Sequence, residues 1–180
     1  AGMFHKNDYI NYTTQGICKI EDIQLLKFGR RREGCRYYIL HPIYQAGMNI
    51  FVPTDSAQLL RRMRPIPSPQ EIDRIIDETG GRALPWPGDR KQRAARFQDI
   101  LTRRDERELL LLVNCLTLRA QEDGKGLSSS DEYVLKRAKA MVEQEFSFAL
   151  NIPPQDVGTY IKTRLQTVQT SHTSQKEEVS

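Results

Sequence analysis

The sequence predicts a mixed α+β protein, a small antiparallel β barrel followed by a helical bundle of about five helices. Up to Ile66, short runs of β-branched and aromatic residues alternate with turn residues, with no helical pattern between them. After Ser68, apolar residues recur at helical spacing. We therefore expect a barrel unit at residues 3–66, a helical unit at 68–166, and a disordered tail at 167–180, which is rich in Ser, Thr and Gln without periodicity.

The first segment contains five candidate strands, at Tyr9 to Tyr12, Ile17 to Phe28, Arg36 to His41, Met48 to Val52 and Arg61 to Ile66. Five short strands without intervening helices favour a strongly bent barrel. The segment 29–34 is typical of a basic hairpin loop. Pro53 cannot donate a ladder hydrogen bond, so the fourth strand is predicted to be an edge that leaves backbone groups available to a partner.

Helix starts are marked in the second segment by Ser68, Asp89, Asp105, Ser129 and the pair Pro153-Pro154. The first of these is a capping box with proline at the first helical position. The third helix is apolar nearly all round, which places it in the centre of a bundle.

Composition and motifs argue against an enzyme. The net charge of +4 permits an anionic partner without requiring one. The three cysteines have no metal or disulfide spacing, and the three histidines lie outside any nucleophile or metal motif. We expect no catalytic residue, cofactor, metal or small-molecule substrate. No apolar run approaches the roughly 20 residues of a membrane span, so we expect a cytoplasmic protein without a membrane partner.

Trp86, the only tryptophan, lies between Pro85 and Pro87 on a loop that these prolines stiffen. A basic run that starts at Arg90 follows this loop. An aromatic wedge beside phosphate-binding cations can enter the DNA minor groove and separate a base step. Because large aromatics are usually well buried, Trp86 could instead be a packing staple, and this stretch leaves both interpretations open. The candidate DNA-binding residues are Trp86, Arg90, Lys91, Arg93, Arg96, Arg103 and Arg104.

Motifs in both segments support a family assignment when they are taken in order. The first segment carries Phe4 to Tyr12 with Gly16, then Ile20-Glu21-Asp22-Ile23, Tyr37 to Leu40, Ile50 to Pro53 and Arg64-Pro65-Ile66. The second carries Trp86, Gly126-Leu127-Ser128 and Glu145 to Ala149. In this order and spacing they resemble the CarD/CdnL family of bacterial RNA-polymerase-binding transcription regulators, whose N-terminal domain also occurs in transcription-repair coupling factors.

The resemblance implies a monomer with a Tudor-like domain that binds the RNA polymerase β subunit and a helical domain that touches promoter DNA. It also implies that Trp86 enters the minor groove at the upstream bubble edge and stabilises the open complex, and that the protein is associated with the nucleoid through polymerase. The polymerase-binding positions that it implies are Lys27, Phe28, Asn49, Ile50 and Phe51. For Ile50 and Phe51 an ordinary structural role remains open, because strand alternation buries one of each neighbouring pair.

The sequence departs from the family pattern at three places. Pro87-Gly88-Asp89 separates the tryptophan from the basic run, Phe51 stands where some relatives have arginine, and Arg103-Arg104 stands where relatives have Ser-Gly. Two other functions remain as alternatives. One is a stand-alone nucleic-acid-binding protein, and the other is a protein-interaction adaptor in which Trp86 is buried.

Overall fold

The computed structural model describes the backbone of residues 4–29, 34–122, 124 and 126–177, with side chains as far as residue 170. The chain divides into two compact units, residues 1–66 and residues 67–180. The division lies where the sequence changes from strand to helix periodicity. The expected basic loop at 30–33 and the last residues of the tail, 178–180, lie outside the described residues.

The described part of the N-terminal unit is an antiparallel five-stranded sheet with one short helix. Its elements are β1 (Tyr9–Tyr12), β2 (Gly16–Leu26), β3 (Cys35–Pro42), β4 (Ile50–Pro53), α1 (Ala57–Leu60) and β5 (Met63–Pro65). The strand order is β4-β3-β2-β1-β5. Gly16, with φ of 78°, allows the tight turn from β1 into β2. One face of the sheet carries the core, with Ile10, Ile20, Leu40 and Val52 fully buried.

The N-terminal sheet is not closed into the predicted barrel. In the part of the chain that the structure describes, β4 and β5 are the two edges and do not pair with each other. Both edge strands are short and end on proline, at Pro53 and Pro65. Because proline has no backbone N–H, neither strand can donate a ladder hydrogen bond at its last residue. The helix α1 was also missed; Ser56 caps it by accepting a hydrogen bond from Leu59 N at 3.4 Å.

The C-terminal unit contains five α-helices and one 3₁₀ turn among its described residues. They are α2 (Pro69–Thr79), α3 (Arg90–Arg103), α4 (Glu106–Glu122), α5 (Ser129–Leu150), the 3₁₀ turn Pro154–Asp156 and α6 (Val157–Glu177). Side-chain caps start four of these helices, because Ser68, Asp89, Asp105 and Ser128 each accept a hydrogen bond from the backbone N–H three residues on. The mixed α+β class is therefore confirmed.

The helical core is built around α4. Leu109, Leu112 and Leu116 of this helix are almost completely buried, together with Phe97 of α3 and Phe146 of α5. This is the arrangement expected for a helix that is apolar on most of its circumference.

The tail predicted to be disordered is helical as far as Glu177. No glycine or proline follows Gly158, so nothing in the backbone chemistry interrupts α6. The hydroxyls of Thr167 and Thr170 donate to the carbonyls four residues earlier at 3.0 Å each, which satisfies polar groups inside the helix. Polar composition without an apolar period therefore did not prevent a helix here.

Polar contacts join α6 to α2. Arg164 donates two hydrogen bonds to Asp77, at 2.9 and 2.7 Å, and the Tyr160 hydroxyl donates to Asp73 at 2.6 Å. The Arg164 hydrogen bonds hold the pKa of Asp77 below its usual value of 3.8. Leu165 lies so close to Gly80 that a side chain at this glycine would meet it.

Replacing Asp77 with asparagine should lower stability at neutral pH and leave it nearly unchanged in strong acid. Because the folded state lowers the pKa of Asp77, the contribution of the pair is complete well above pH 3.8 and is lost as pH falls below that value. Both side chains are about one-third exposed, so we expect a loss of about 0.2–1 kcal/mol. Urea unfolding at pH 7 and pH 2.5 measures it. In a double-mutant cycle with Arg164→Met the two effects should not add; additive effects would contradict the pairing.

Candidate functional site

The loop that carries Trp86 is attached to α4. Leu84 N donates to the carbonyl of Leu111 at 3.1 Å. The amide of Asn114 donates to the carbonyl of Arg82 at 2.8 Å. Leu84 also packs against the helical core. These contacts anchor the loop just before Pro85, so the position of the indole follows from the packing of α4.

Trp86 is half-buried, and its indole packs on the helical unit. Its ring centroid lies 6.1 Å from that of Phe97, in an edge-to-face arrangement with an interplanar angle of 70°. The guanidinium carbons of Arg93 and Arg119 lie over the indole, each 4.7 Å from its centroid. Both distances fall within the range of a cation–π interaction. Trp86 is therefore neither a fully buried staple nor a free side chain.

Arg93 differs from the exposed phosphate-binding residue that its sequence context suggests. Its side chain is only 16% exposed, and its Nε donates to Asp131 Oδ1 at 3.4 Å. Asp131 lies in the first turn of α5, with its side chain 10% exposed. The charge of Arg93 is thus paired within the unit.

Arg96 and Arg103 also have acidic partners. Arg103 lies 2.8 Å from both Asp99 and Glu108, and Arg96 lies 3.9 Å from Asp99 and 3.7 Å from Glu108. Arg104 is the left-handed cap of α3, with φ of 53° and its N–H donating to the carbonyl of Ile100 at 3.0 Å. The acidic side chains reduce the net charge of this surface.

Arg90 and Lys91 are the first exposed cations that follow Trp86 in the sequence. They occupy the first two positions of α3, and the structure shows no ion pair for either among the described residues. Cations at a helix N-terminus are unfavourable by roughly 0.3–1 kcal/mol, because the macrodipole is positive there. Fold stability therefore does not explain these two residues.

A second candidate surface lies at the β4 edge of the N-terminal sheet. β4 pairs with β3 on one side only in the described part of the chain. Phe51 of this strand is 43% exposed, and Phe28 is 49% exposed. The Phe28 ring lies 5.6 Å from that of Phe51 and 5.1 Å from that of Tyr37, with both pairs edge-to-face. An unpaired strand edge thus adjoins an aromatic cluster in which Phe28 and Phe51 are exposed and Tyr37 is half-buried.

The remaining polymerase-binding candidates have mixed environments. Lys27 and Asn49 are exposed, and Asn49 Oδ1 lies 3.2 Å from His41 Nδ1. Ile50 packs partly against the core, whereas Phe51 points away from it. The alternation left open by the sequence is therefore resolved, with Phe51 as the outward side chain.

Sequence reasoning missed Arg119, Asp131 and Tyr37. Arg119 and Asp131 are 33 and 45 residues from Trp86, and only the packing of α4 and α5 brings them near it. Tyr37 contacts Phe28 edge-to-face because β2, which Phe28 follows, is paired with β3. The strand pattern carries a signal for Tyr37, since the predicted hairpin brings the two strands together. The local sequence gives no signal that Arg119 and Asp131 lie near Trp86.

Among the described residues, the surroundings of Trp86 show neither an activated thiol nor a group of metal ligands. A pocket of about 140 Å³ beside the indole is lined by Cys115 and Arg119 among others. Burial raises the pKa of the Cys115 thiol, which disfavours the nucleophilic thiolate. In the part of the chain that the structure describes, no three His, Cys, Asp or Glu side chains are grouped to hold a metal ion. Within the same residues, no helix combines the length and apolarity needed to cross a membrane.

Comparison with known families identifies the N-terminal unit. Residues 4–64 match the model of the CarD-like/TRCF RID domain. The N-terminal unit belongs to this family. The match covers nearly all of the N-terminal unit and none of the helical unit, and it confirms the CarD-like resemblance seen in the sequence. A RID domain implies interaction with RNA polymerase, in a CarD-like regulator of transcription. No curated protein matches the chain.

Proposed function

We propose that this protein docks on the β subunit of RNA polymerase through the β4 edge of its RID domain and stabilises promoter open complexes with Trp86. The observation that carries the proposal is the RID match over residues 4–64, together with the half-buried tryptophan on a separate helical unit. In this proposal the sheet acts as the Tudor-like module of the family, and the protein works without catalysis, as a monomer.

The β4 edge suits a protein partner. An unpaired strand edge can accept a strand from another chain, with main-chain hydrogen bonds supplying affinity and side-chain pockets supplying specificity. Phe28, Tyr37 and Phe51 provide an apolar anchor beside that edge, and aromatic residues are frequent among interface hot spots. Lys27 and Asn49 flank the contact, and Ile50 supports it from the core side.

The helical unit suits weak DNA binding. Arg90 and Lys91 are exposed beside the Trp86 loop, whereas Arg93, Arg96 and Arg103 are compensated by acidic partners. Two accessible cations release few counterions, so affinity for free DNA should be low and nearly independent of sequence. Docking on polymerase would supply the local concentration that such a patch needs.

A protein-interaction adaptor is the second candidate, because Trp86 has structural contacts with Phe97, Arg93 and Arg119. Under that function, loss of the indole would affect folding alone. A stand-alone nucleic-acid-binding protein would not co-purify with polymerase. The three functions therefore give different results in the experiments below.

Replacing Trp86 with alanine is the decisive test. Removing a stacking interaction worth about 1–3 kcal/mol should shorten open-complex lifetime by up to about 5- to 150-fold, measured by competitor challenge. Binding to polymerase should be unchanged. Because Trp86 is half-buried, its replacement should lower the free energy of unfolding by less than the roughly 3–5 kcal/mol that is lost when a buried aromatic residue becomes alanine. Phe97→Ala supplies that comparison. If Trp86→Ala left the open-complex lifetime unchanged but lowered the free energy of unfolding strongly, the result would support the protein-interaction adaptor instead.

Replacing Phe28 and Phe51 with alanine should weaken binding to the β subunit by about 2 kcal/mol or more, because they anchor the edge contact. Both are about half-exposed, so the melting temperature should change little. Tyr9→Ala is a matched control, an exposed aromatic on β1. Calorimetry with the full chain and isolated β subunit measures the effect. Equal weakening by the control would place the contact elsewhere.

Replacing Arg90 and Lys91 with alanine should reduce the slope of log K against log salt concentration by up to about two units, because each cation neutralises one phosphate. Arg103→Ala should change it less, because Arg103 is paired with Asp99 and Glu108. Fluorescence anisotropy with a short duplex at several salt concentrations gives the slopes. If Arg103→Ala lowered the slope as much as Arg90→Ala or Lys91→Ala does alone, the assignment of the accessible cations would be wrong.

A further inference from the structure

A chain of contacts leads from the start of α5 to the indole of Trp86. Asp131 N donates to the Ser128 hydroxyl at 3.2 Å, which fixes the first turn of the helix. The Asp131 carboxylate accepts from Arg93 Nε at 3.4 Å, and the guanidinium carbon of Arg93 lies 4.7 Å from the indole centroid. Residues from α3, α5 and the loop thus meet at one point.

Arg93 has the environment of a fixed side chain. It is 16% exposed and its partner Asp131 is 10% exposed, so the pair is shielded from solvent and weakly screened by salt. A planar guanidinium can stack on an aromatic ring while its edge donates to a carboxylate. Lysine, with a compact ammonium group, cannot reproduce both interactions.

Arg119 provides the contrast. It lies equally near the indole, but its side chain is 41% exposed and lies 3.7 Å from the exposed Glu122. Solvent competes for this guanidinium to a greater extent than for Arg93. Of the two cations over the ring, Arg93 is therefore the better fixed.

We propose that Arg93, held by Asp131, is a positioning residue that sets the orientation of Trp86, and that it is not a phosphate ligand. A cation whose charge is already neutralised by a shielded carboxylate releases no further counterion from DNA. Its contribution is to hold the indole before DNA arrives, so that less conformational freedom is given up when DNA binds. The effect on open complexes rests on the proposed function, whereas the effect on the indole does not.

The orientation of Trp86 can be measured in the free protein, since it is the only tryptophan. Acrylamide quenching should increase in Arg93→Ala and in Asp131→Asn, and less in Arg93→Lys. Removing the cation–π interaction should shift the population of displaced indole by about 2- to 30-fold. Arg96→Ala removes a cation from the same helix without touching the indole, and its quenching should match that of the native protein.

Each variant is first checked by thermal melting, and quenching is compared below the melting transition. If Arg93→Ala does not fold, the isosteric Asp131→Asn and the charge-conserving Arg93→Lys carry the test. Quenching in these variants equal to that of Arg96→Ala would overturn the proposal.

The salt dependence of DNA binding gives the second readout. Arg93→Ala should leave the slope of log K against log salt unchanged, in contrast to Arg90→Ala. It should shorten open-complex lifetime in the same direction as Trp86→Ala. A slope reduced by about one unit would make Arg93 a phosphate ligand and overturn the proposal. If Trp86→Ala has no effect on lifetime, the proposed function fails, while the quenching result still decides whether Arg93 positions the indole.

Discussion

The burial of α4 is the constraint on which the helical site depends. Leu109, Leu112 and Leu116 fix this helix in the core, and the same helix offers the Leu111 carbonyl and the Asn114 amide to the Trp86 loop. Phe97, buried in the same core, supports the indole from α3. The loop needs no secondary structure of its own to hold its place, because the Leu84 N–H and the Arg82 carbonyl are bonded to a helix that the core already holds. A rigid scaffold that positions a functional loop is the usual arrangement in proteins.

The basic residues of α3 contribute less net charge to the protein surface than their number in the sequence suggests. The run from Arg90 to Arg104 is basic in sequence, and this was the reason for assigning it to DNA. The pairs of Asp99 with Arg96 and Arg103 lie three and four residues apart on one helix and could have been predicted from spacing. The pairing of Arg93 with Asp131 spans 38 residues and depends on how α3 and α5 pack. Local patterns could not reveal it, because tertiary packing alone brings the two groups together.

The N-terminal unit was more predictable, because four of its five described strands, β1 to β4, pair in sequence order, and only β5 pairs with a distant strand, β1. Hairpin pairing follows sequence order, so turn residues and alternation locate β1, β2 and β3, and Pro53 correctly marks β4 as an edge. Closure of a sheet depends on strand length and edge pairing, which alternation does not encode, and the described strands do not form the closed barrel that was expected. The short helix α1 has no apolar period to detect over four residues. The prediction for the tail was wrong for a different reason. Its polar composition suggested disorder, although it contains no glycine or proline that would break a helix.

The β4 edge and the surface around Arg90 and Lys91 would bind through different interactions. Under the proposed function, this difference makes binding to polymerase the first step and contact with DNA the second. The β4 edge combines backbone hydrogen-bonding groups with an apolar cluster, an arrangement that salt weakens little. The patch around Arg90 and Lys91 resembles a non-specific DNA site, for which dissociation constants of about 10⁻⁴ M are ordinary. A tether through the polymerase contact gives an effective concentration near 10⁻³ M. A site with that dissociation constant would then be about nine-tenths occupied, whereas free in solution at about 10⁻⁶ M it would be about one-hundredth occupied. Under the proposed function, weak DNA binding is therefore compatible with strong action at promoters, and it would confine that action to polymerase.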